Sequence, residues 1–219
     1  MEELKFLNET LRRYPALECC AEAIRQTVGE LVTCFAGGGR LLVCGNGGSA
    51  ADSAHIVGEL TKGFLSKRPL PDDLSCRLAA IDRETGTDLG EKLSQKLQQG
   101  LPAQNLCESL ALNTAAANDL DGDMIYAQGV MAYGRAGDVL LAISTSGSAL
   151  NTAYAVTAAR AQGLTTIGLT GQSGGRLAKL CDLCIRVPET ETYRVQELHL
   201  PVYHAICAEV EAACFDEKK

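Results

Sequence analysis

The sequence predicts an α/β fold, a doubly wound parallel sheet flanked by helices and preceded by an N-terminal helical segment, and three observations carry that prediction. Apolar, partly β-branched runs recur at residues 41–44, 139–143 and 165–169, each suited to a buried strand. Each runs into a short loop of Gly, Ser, Thr or Asn. Each loop is followed by a stretch of helix formers. Strands and helices that alternate through short loops make a sheet covered on both faces, with ligands expected beyond the carboxyl ends of its strands.

Residues 2–36 read as helical, with Leu4, Leu7 and Leu11 and then Ile24, Val28, Leu31 and Val32 at helical spacing. Pro15 breaks the run and Gly37-Gly38-Gly39 ends it. The first strand, at 41–44, leads through Asn46-Gly47-Gly48-Ser49 into a helix from Ala50. Residues 71–106 read as an insertion, in which Leu89, Leu93, Lys96 and Leu97 fit an amphipathic helix stopped by Gly100-Leu101-Pro102. A lid, a subunit contact and a peripheral surface helix are all open roles for it. The next strand is placed at 109–112. The strand at 139–143 is followed by a loop at 144–148 and a helix through Ala161, closed by Gly163. A third unit runs from 165–169 through Thr170-Gly171-Gln172-Ser173 into a helix at about 174–180, and a last strand at 183–187 precedes Pro188. The whole of 1–219 is expected to form one domain.

Composition narrows the function. A net charge of −7 and a pI near 5.0, with no Lys/Arg run, argue against a nucleic-acid partner. No apolar run approaches the roughly 20 residues that span a bilayer, and Glu2, Glu3 and Lys5 interrupt any apolar leader, so a cytoplasmic, non-membrane protein is expected. In that setting the ten cysteines are read as reduced core thiols rather than disulfides. Cys181-x-x-Cys184 precedes the run Ile185-Arg186-Val187 and has no second pair at zinc-ribbon spacing, which favours a structural role.

The chemistry concentrates in two loops and one helix face. Gly47 and Gly48 let an anion approach the main chain where the helix start presents its N–H groups. Asp52, His55 and Glu59, spaced by three and four, share a face of the following helix. His55 and Glu59 suit two ligands of one metal ion, or a base with its positioning partner. Ser144, Thr145 and Ser146 add three hydroxyls at a second strand end, as phosphate binding needs, although an ordinary capping loop has the same composition. Gly45-x-Gly47 lacks the third glycine and the later acidic residue of a dinucleotide fingerprint, which ranks that reading last.

The string NGGSAADSAHIVGEL, taken with Ser144-Thr145-Ser146-Gly147 and with Gln196-Glu197 and His204, resembles the sugar isomerase (SIS) domain superfamily, and within it the bacterial phosphoheptose (sedoheptulose 7-phosphate) isomerase family. The resemblance implies a flavodoxin-like sheet and an aldose-ketose isomerase acting on a phosphorylated sugar. It implies Glu59 and His204 as base and acid, and Asn46, Gly47, Gly48, Ser49, Asp119, Ser144, Thr145, Ser146 and Gln196 as substrate contacts. It further implies zinc held by His55, Glu59, Gln196 and His204, and a homotetramer. Ala149 stands where the family has another phosphate-contacting Ser, and Tyr193 where it has a sugar-binding Asp. A noncatalytic phosphosugar-binding or replication-initiator-binding protein is the competing reading, against which stand the retained His55, Glu59, Gln196 and His204. On a helix, Gln196 and His204 would be separated by about 12 Å of rise. That distance is long for one ion, so the active site is expected at a subunit interface.

Overall fold

The computed structural model describes residues 4–215, so residues 2 and 3 of the expected first helix lie outside it. Helix α1 (Lys5–Arg13) and a 3-10 helix (Pro15–Cys20) lead into α2 (Ala21–Ala36), with the break at Pro15 as expected. There follow β1 (Leu41–Gly45), α3 (Gly48–Thr61), α4 (Asp72–Thr85), α5 (Leu89–Lys96) and β2 (Ala103–Asn105). Helices α6 (Leu110–Asp119) and α7 (Ile125–Tyr133) precede β3 (Val139–Ser144), α8 (Leu150–Ala161) and β4 (Thr165–Thr170). The chain ends in α9 (Leu177–Leu180), β5 (Leu183–Arg186) and α10 (Thr192–Phe215).

The five strands are parallel, in the order β2-β1-β3-β4-β5. The chain winds outward in opposite directions from β1 and β3, which makes the crevice above these two strands the switch point where such sheets bind ligands. Strand alternation sorts the core into two layers. Leu41, Val43, Val139, Leu141, Ile143, Ile167 and Leu169 face α2, α3 and α10. Leu42, Cys44, Leu140 and Ala142 face α7 and α8.

Two expectations are corrected. The strand placed at 109–112 is the start of α6; the strand beside β1 is Ala103–Asn105, inside the segment read as an insertion. The alanine-rich sequence of α6 prefers helix, whereas β2 is a three-residue edge strand whose signal is too short to read. Helix α9 is a single turn from Leu177, because Gly174 and Gly175 adopt φ of +68° and +49°. Those values lie outside the right-handed helical region.

Helices α4 and α5 form a hairpin beside the sheet. Asp82 caps α5 by accepting the N–H groups of Gly90 and Glu91 at 2.9 and 2.8 Å. Among the described residues α4 has no buried side chain, and Leu89, Leu93 and Leu97 stay exposed.

His199, on α10, is wholly buried and neither ring nitrogen has a hydrogen-bond partner. Burial disfavours the charged imidazolium, outweighs the opposing pull of the nearby Thr170 backbone, which is too poorly aligned to count as a hydrogen bond, and pushes the pKa down to about 4. Between that value and the ordinary 6.5 the unfolded chain binds a proton that the folded chain refuses, so stability falls as pH falls through this window. On the order of 3 kcal/mol should be lost between pH 6.5 and 4 through this residue. Urea melts across that range should show a shallower pH dependence in His199→Leu; an unchanged slope would assign the acid sensitivity to other groups.

Candidate active site

The loop after β1 turns at Gly47, which caps α3 with a φ of +56° that side chains other than glycine rarely adopt. Gly48 leaves room for the amide of Gln196, which a Cβ there would displace. Helices α3 and α10 run side by side in parallel, so Gln196 sits over the start of α3 and later residues of α10 meet later residues of α3. The loop after β3 is braced from beneath. Gly171 N–H donates to the Thr145 carbonyl at 2.9 Å and Leu177 N–H to the Gly147 carbonyl at 3.0 Å. Ser144 ends β3 buried, Thr145 is half-buried and Ser146 is exposed.

A reciprocal amide pair clasps the two loops together. Asn46 Nδ2 donates to Asn151 Oδ1 at 2.8 Å, and Asn151 Nδ2 returns a bond to Asn46 Oδ1 at 2.9 Å. Asn151 Oδ1 also accepts the N–H of Thr152 near the start of α8, and Tyr126 donates to the Gly45 carbonyl at 2.6 Å. The starts of α3 and α8 are thereby fixed beside one another. A helix start carries partial positive charge, so the pair makes a cradle suited to an anion.

Beyond this cradle, along α3, three donor atoms converge. His55 Nε2 lies 3.0 Å from Glu59 Oε1 and 3.4 Å from His204 Nε2, and one ligand atom from each residue lies within 4.8 Å of the others. Phe64 packs against His204 with ring centroids 5.5 Å apart. Burial, and then the neighbouring His55, lower the pKa of His204, which favours its neutral form. Two imidazole nitrogens and a carboxylate oxygen fit a divalent zinc ion that keeps a position open, since tetrahedral bonds of 2.0–2.1 Å put ligands about 3.3 Å apart.

The end of α3 that carries Glu59 is held by a buried ion pair. Arg68 Nη1 and Nη2 donate to the carbonyls of Leu60 and Glu59 at 2.6 and 3.2 Å, covering the helix C-terminus. Its Nε donates to Glu211 Oε1 at 2.7 Å, with both side chains buried. The Glu211 carboxylate also accepts the N–H groups of Phe64, Leu65 and Ser66 at 2.8, 2.7 and 3.1 Å. Burial alone would raise the pKa of Glu211; these donors and Arg68 outweigh it and hold the carboxyl below its ordinary value.

The structure thus brings His55, Glu59 and His204 together within one chain. Glu59 and His204 approach one another without a neighbouring subunit. Gln196 lies two helical turns from His204 on α10, at the cradle beside Gly48. Asp119 is exposed at the end of α6, where its Oδ1 accepts from Asn118 at 2.7 Å. Sequence reasoning missed Asn151, Tyr203 and Arg68, each of which acts through a partner far along the chain.

Comparison with known proteins identifies the family and the fold. The SIS domain model matches residues 5–106 and 99–171. The phosphoheptose isomerase of Rhodospirillum rubrum is 39% identical over 194 residues, covering 89% of this chain and 87% of that protein. The phosphoheptose isomerase of Roseiflexus is 36% identical over 217 residues, covering 99% and 94%. The solved phosphoheptose isomerase structure from Neisseria gonorrhoeae superposes with a TM-score of 0.72 at 31% identity, and that from Francisella tularensis with 0.73 at 28%, each covering 94% of both chains. By sequence and by architecture, this chain belongs to the SIS domain family.

Proposed function

We propose that the chain is a phosphosugar isomerase interconverting an aldose and a ketose, with sedoheptulose 7-phosphate and glycero-manno-heptose 7-phosphate as the nearest pair. The observation that carries the reading is the convergence of His55, Glu59 and His204 beyond the two clasped strand-end loops. In this reading the loops of Asn46 to Ser49 and Ser144 to Ser146 anchor the phosphate, aided by Gln196, and Asp119 contacts the sugar. Anchoring fixes the reacting end against Glu59. The Glu59 carboxylate takes the proton from the carbon beside the carbonyl and returns it to the neighbouring carbon, while His204, neutral and half-buried, moves a proton between the two oxygens. Zinc, held by His55, Glu59 and His204, would polarise the carbonyl when bound.

We further infer a cytoplasmic homotetramer. The α4–α5 hairpin, the insertion read from the sequence, supports an oligomer, since its exposed Leu89, Leu93 and Leu97 suit a subunit contact.

Purified protein supplied with heptose, hexose and pentose phosphates, with and without zinc, should interconvert a phosphoheptose pair. Calorimetry should show that the free sugar binds far more weakly. Ser146→Ala should weaken binding of the phosphosugar by roughly 1–3 kcal/mol, the worth of a hydrogen bond to a charged oxygen. Equal affinity for free and phosphorylated sugar would contradict the phosphate cradle, and binding without interconversion of any phosphosugar would favour a noncatalytic binding protein.

A further inference from the structure

The phenol of Tyr203 joins two polar groups of α3: its oxygen lies 3.0 Å from His55 Nδ1 and 3.3 Å from Asp52 Oδ1. The hydroxyl has one proton to give. Asp52 Oδ2 is buried with no partner, and the hydrogen bond described for Oδ1 comes from Tyr203. An ionised carboxylate can only accept, so the phenol proton belongs to Asp52 and the phenol oxygen accepts from His55. Neutral imidazole carries one N–H, which this bond places on Nδ1 and leaves Nε2 bare.

The Nδ1–H form sets the Nε2 lone pair against Glu59 Oε1 at 3.0 Å, a contact that solvent reaches and a cation would bridge; the opposite tautomer would donate from Nε2 to Glu59, but it would turn the phenol proton away from Asp52. That would leave a partly buried carboxylate without a described donor, and a buried unpaired charge is costly. The ring of Tyr203 has little room to move. It is 2% exposed and lies edge-on to His55 and His204, with centroids 5.4 and 5.0 Å away.

We propose that Tyr203 is a positioning residue: its hydroxyl, committed to Asp52, holds His55 in the Nδ1–H tautomer, so that Nε2 offers its lone pair to the centre shared with Glu59 and His204. Three lone-pair atoms converging in this way make a seat for a divalent cation, and a partner on the far nitrogen fixes both the tautomer and the ring orientation that the seat needs. The inference deepens the functional reading above and rests on it for its catalytic meaning, but the tautomer is measurable without substrate.

Long-range proton–nitrogen NMR on the metal-free protein, at mildly alkaline pH, should show His55 as the Nδ1–H form. In Tyr203→Phe, which keeps the ring, that form should give way to Nε2–H bonded to Glu59. In Asp52→Asn the side-chain amide can turn an N–H toward the phenol oxygen and reverse the relay, and His55 should again move toward Nε2–H. Zinc affinity, measured by chelator competition, should fall about 10- to 100-fold in Tyr203→Phe, with the fold checked by circular dichroism. An Nε2–H form in the wild-type protein would overturn the proposal, as would a Tyr203→Phe variant that keeps the Nδ1–H form and full zinc affinity. The expected tautomers in a protein that isomerises no phosphosugar would support the relay and remove the enzyme reading.

Discussion

Glu59→Gln should lower turnover by about 10²–10⁴-fold or more while leaving phosphosugar affinity within a few-fold of wild type. Isomerisation moves a carbon-bound proton to the adjacent carbon, and among the described residues Glu59 is the carboxylate of the convergent cluster. Glutamine preserves the volume and can still face His55, but it is not basic. The phosphate cradle is built from the loops after β1 and β3, at the opposite end of α3 from Glu59, so binding should survive. Steady-state rates together with calorimetry separate the two effects. If Glu59→Gln lost binding and rate in equal measure, Glu59 would be a substrate contact rather than the base.

Glu211→Ala should destabilise the fold by about 3–5 kcal/mol, because it strands the buried guanidinium of Arg68 and removes the acceptor of three loop N–H groups. Urea melts at pH 7 measure this directly. Activity should suffer too, under conditions where the variant remains folded. Arg68 reaches past the ion pair to the carbonyls of Glu59 and Leu60, so loosening it frees the end of α3 that carries the base. Replacing both partners, as Arg68→Met with Glu211→Leu, should recover only the part of the loss owed to the unpaired charge, since the loop N–H groups still lose the Glu211 acceptor and the carbonyls of Glu59 and Leu60 lose the Arg68 donor. A loss of under about 1 kcal/mol in Glu211→Ala would mean that another acceptor or solvent reaches Arg68.

What the sequence revealed follows the range of each signal. The β1 and β3 loops were legible because each is a contiguous run of Gly, Ser and Thr between an apolar strand and a helix. His55 and Glu59 were legible because helical spacing alone puts them on one face. His204 came from family resemblance, and its approach to His55 became clear only from the parallel packing of α3 and α10. Tyr203 and Arg68 carry no local signal. Their partners lie 148 and 143 positions away, and a Tyr amid apolar residues reads as core. Strand β2 was misplaced because its three residues form only an edge, and their pairing with Leu41 to Val43 sets their conformation more than their own composition does.

The most direct test of the proposed chemistry is solvent hydrogen exchange during turnover. In deuterated water with sedoheptulose 7-phosphate, the wild-type protein should incorporate deuterium at the carbon beside the carbonyl, and Glu59→Gln should incorporate essentially none while still binding the sugar. Comparable incorporation in Glu59→Gln would contradict the role of Glu59 as base, and no incorporation by the wild-type protein with any phosphosugar would contradict the isomerase itself.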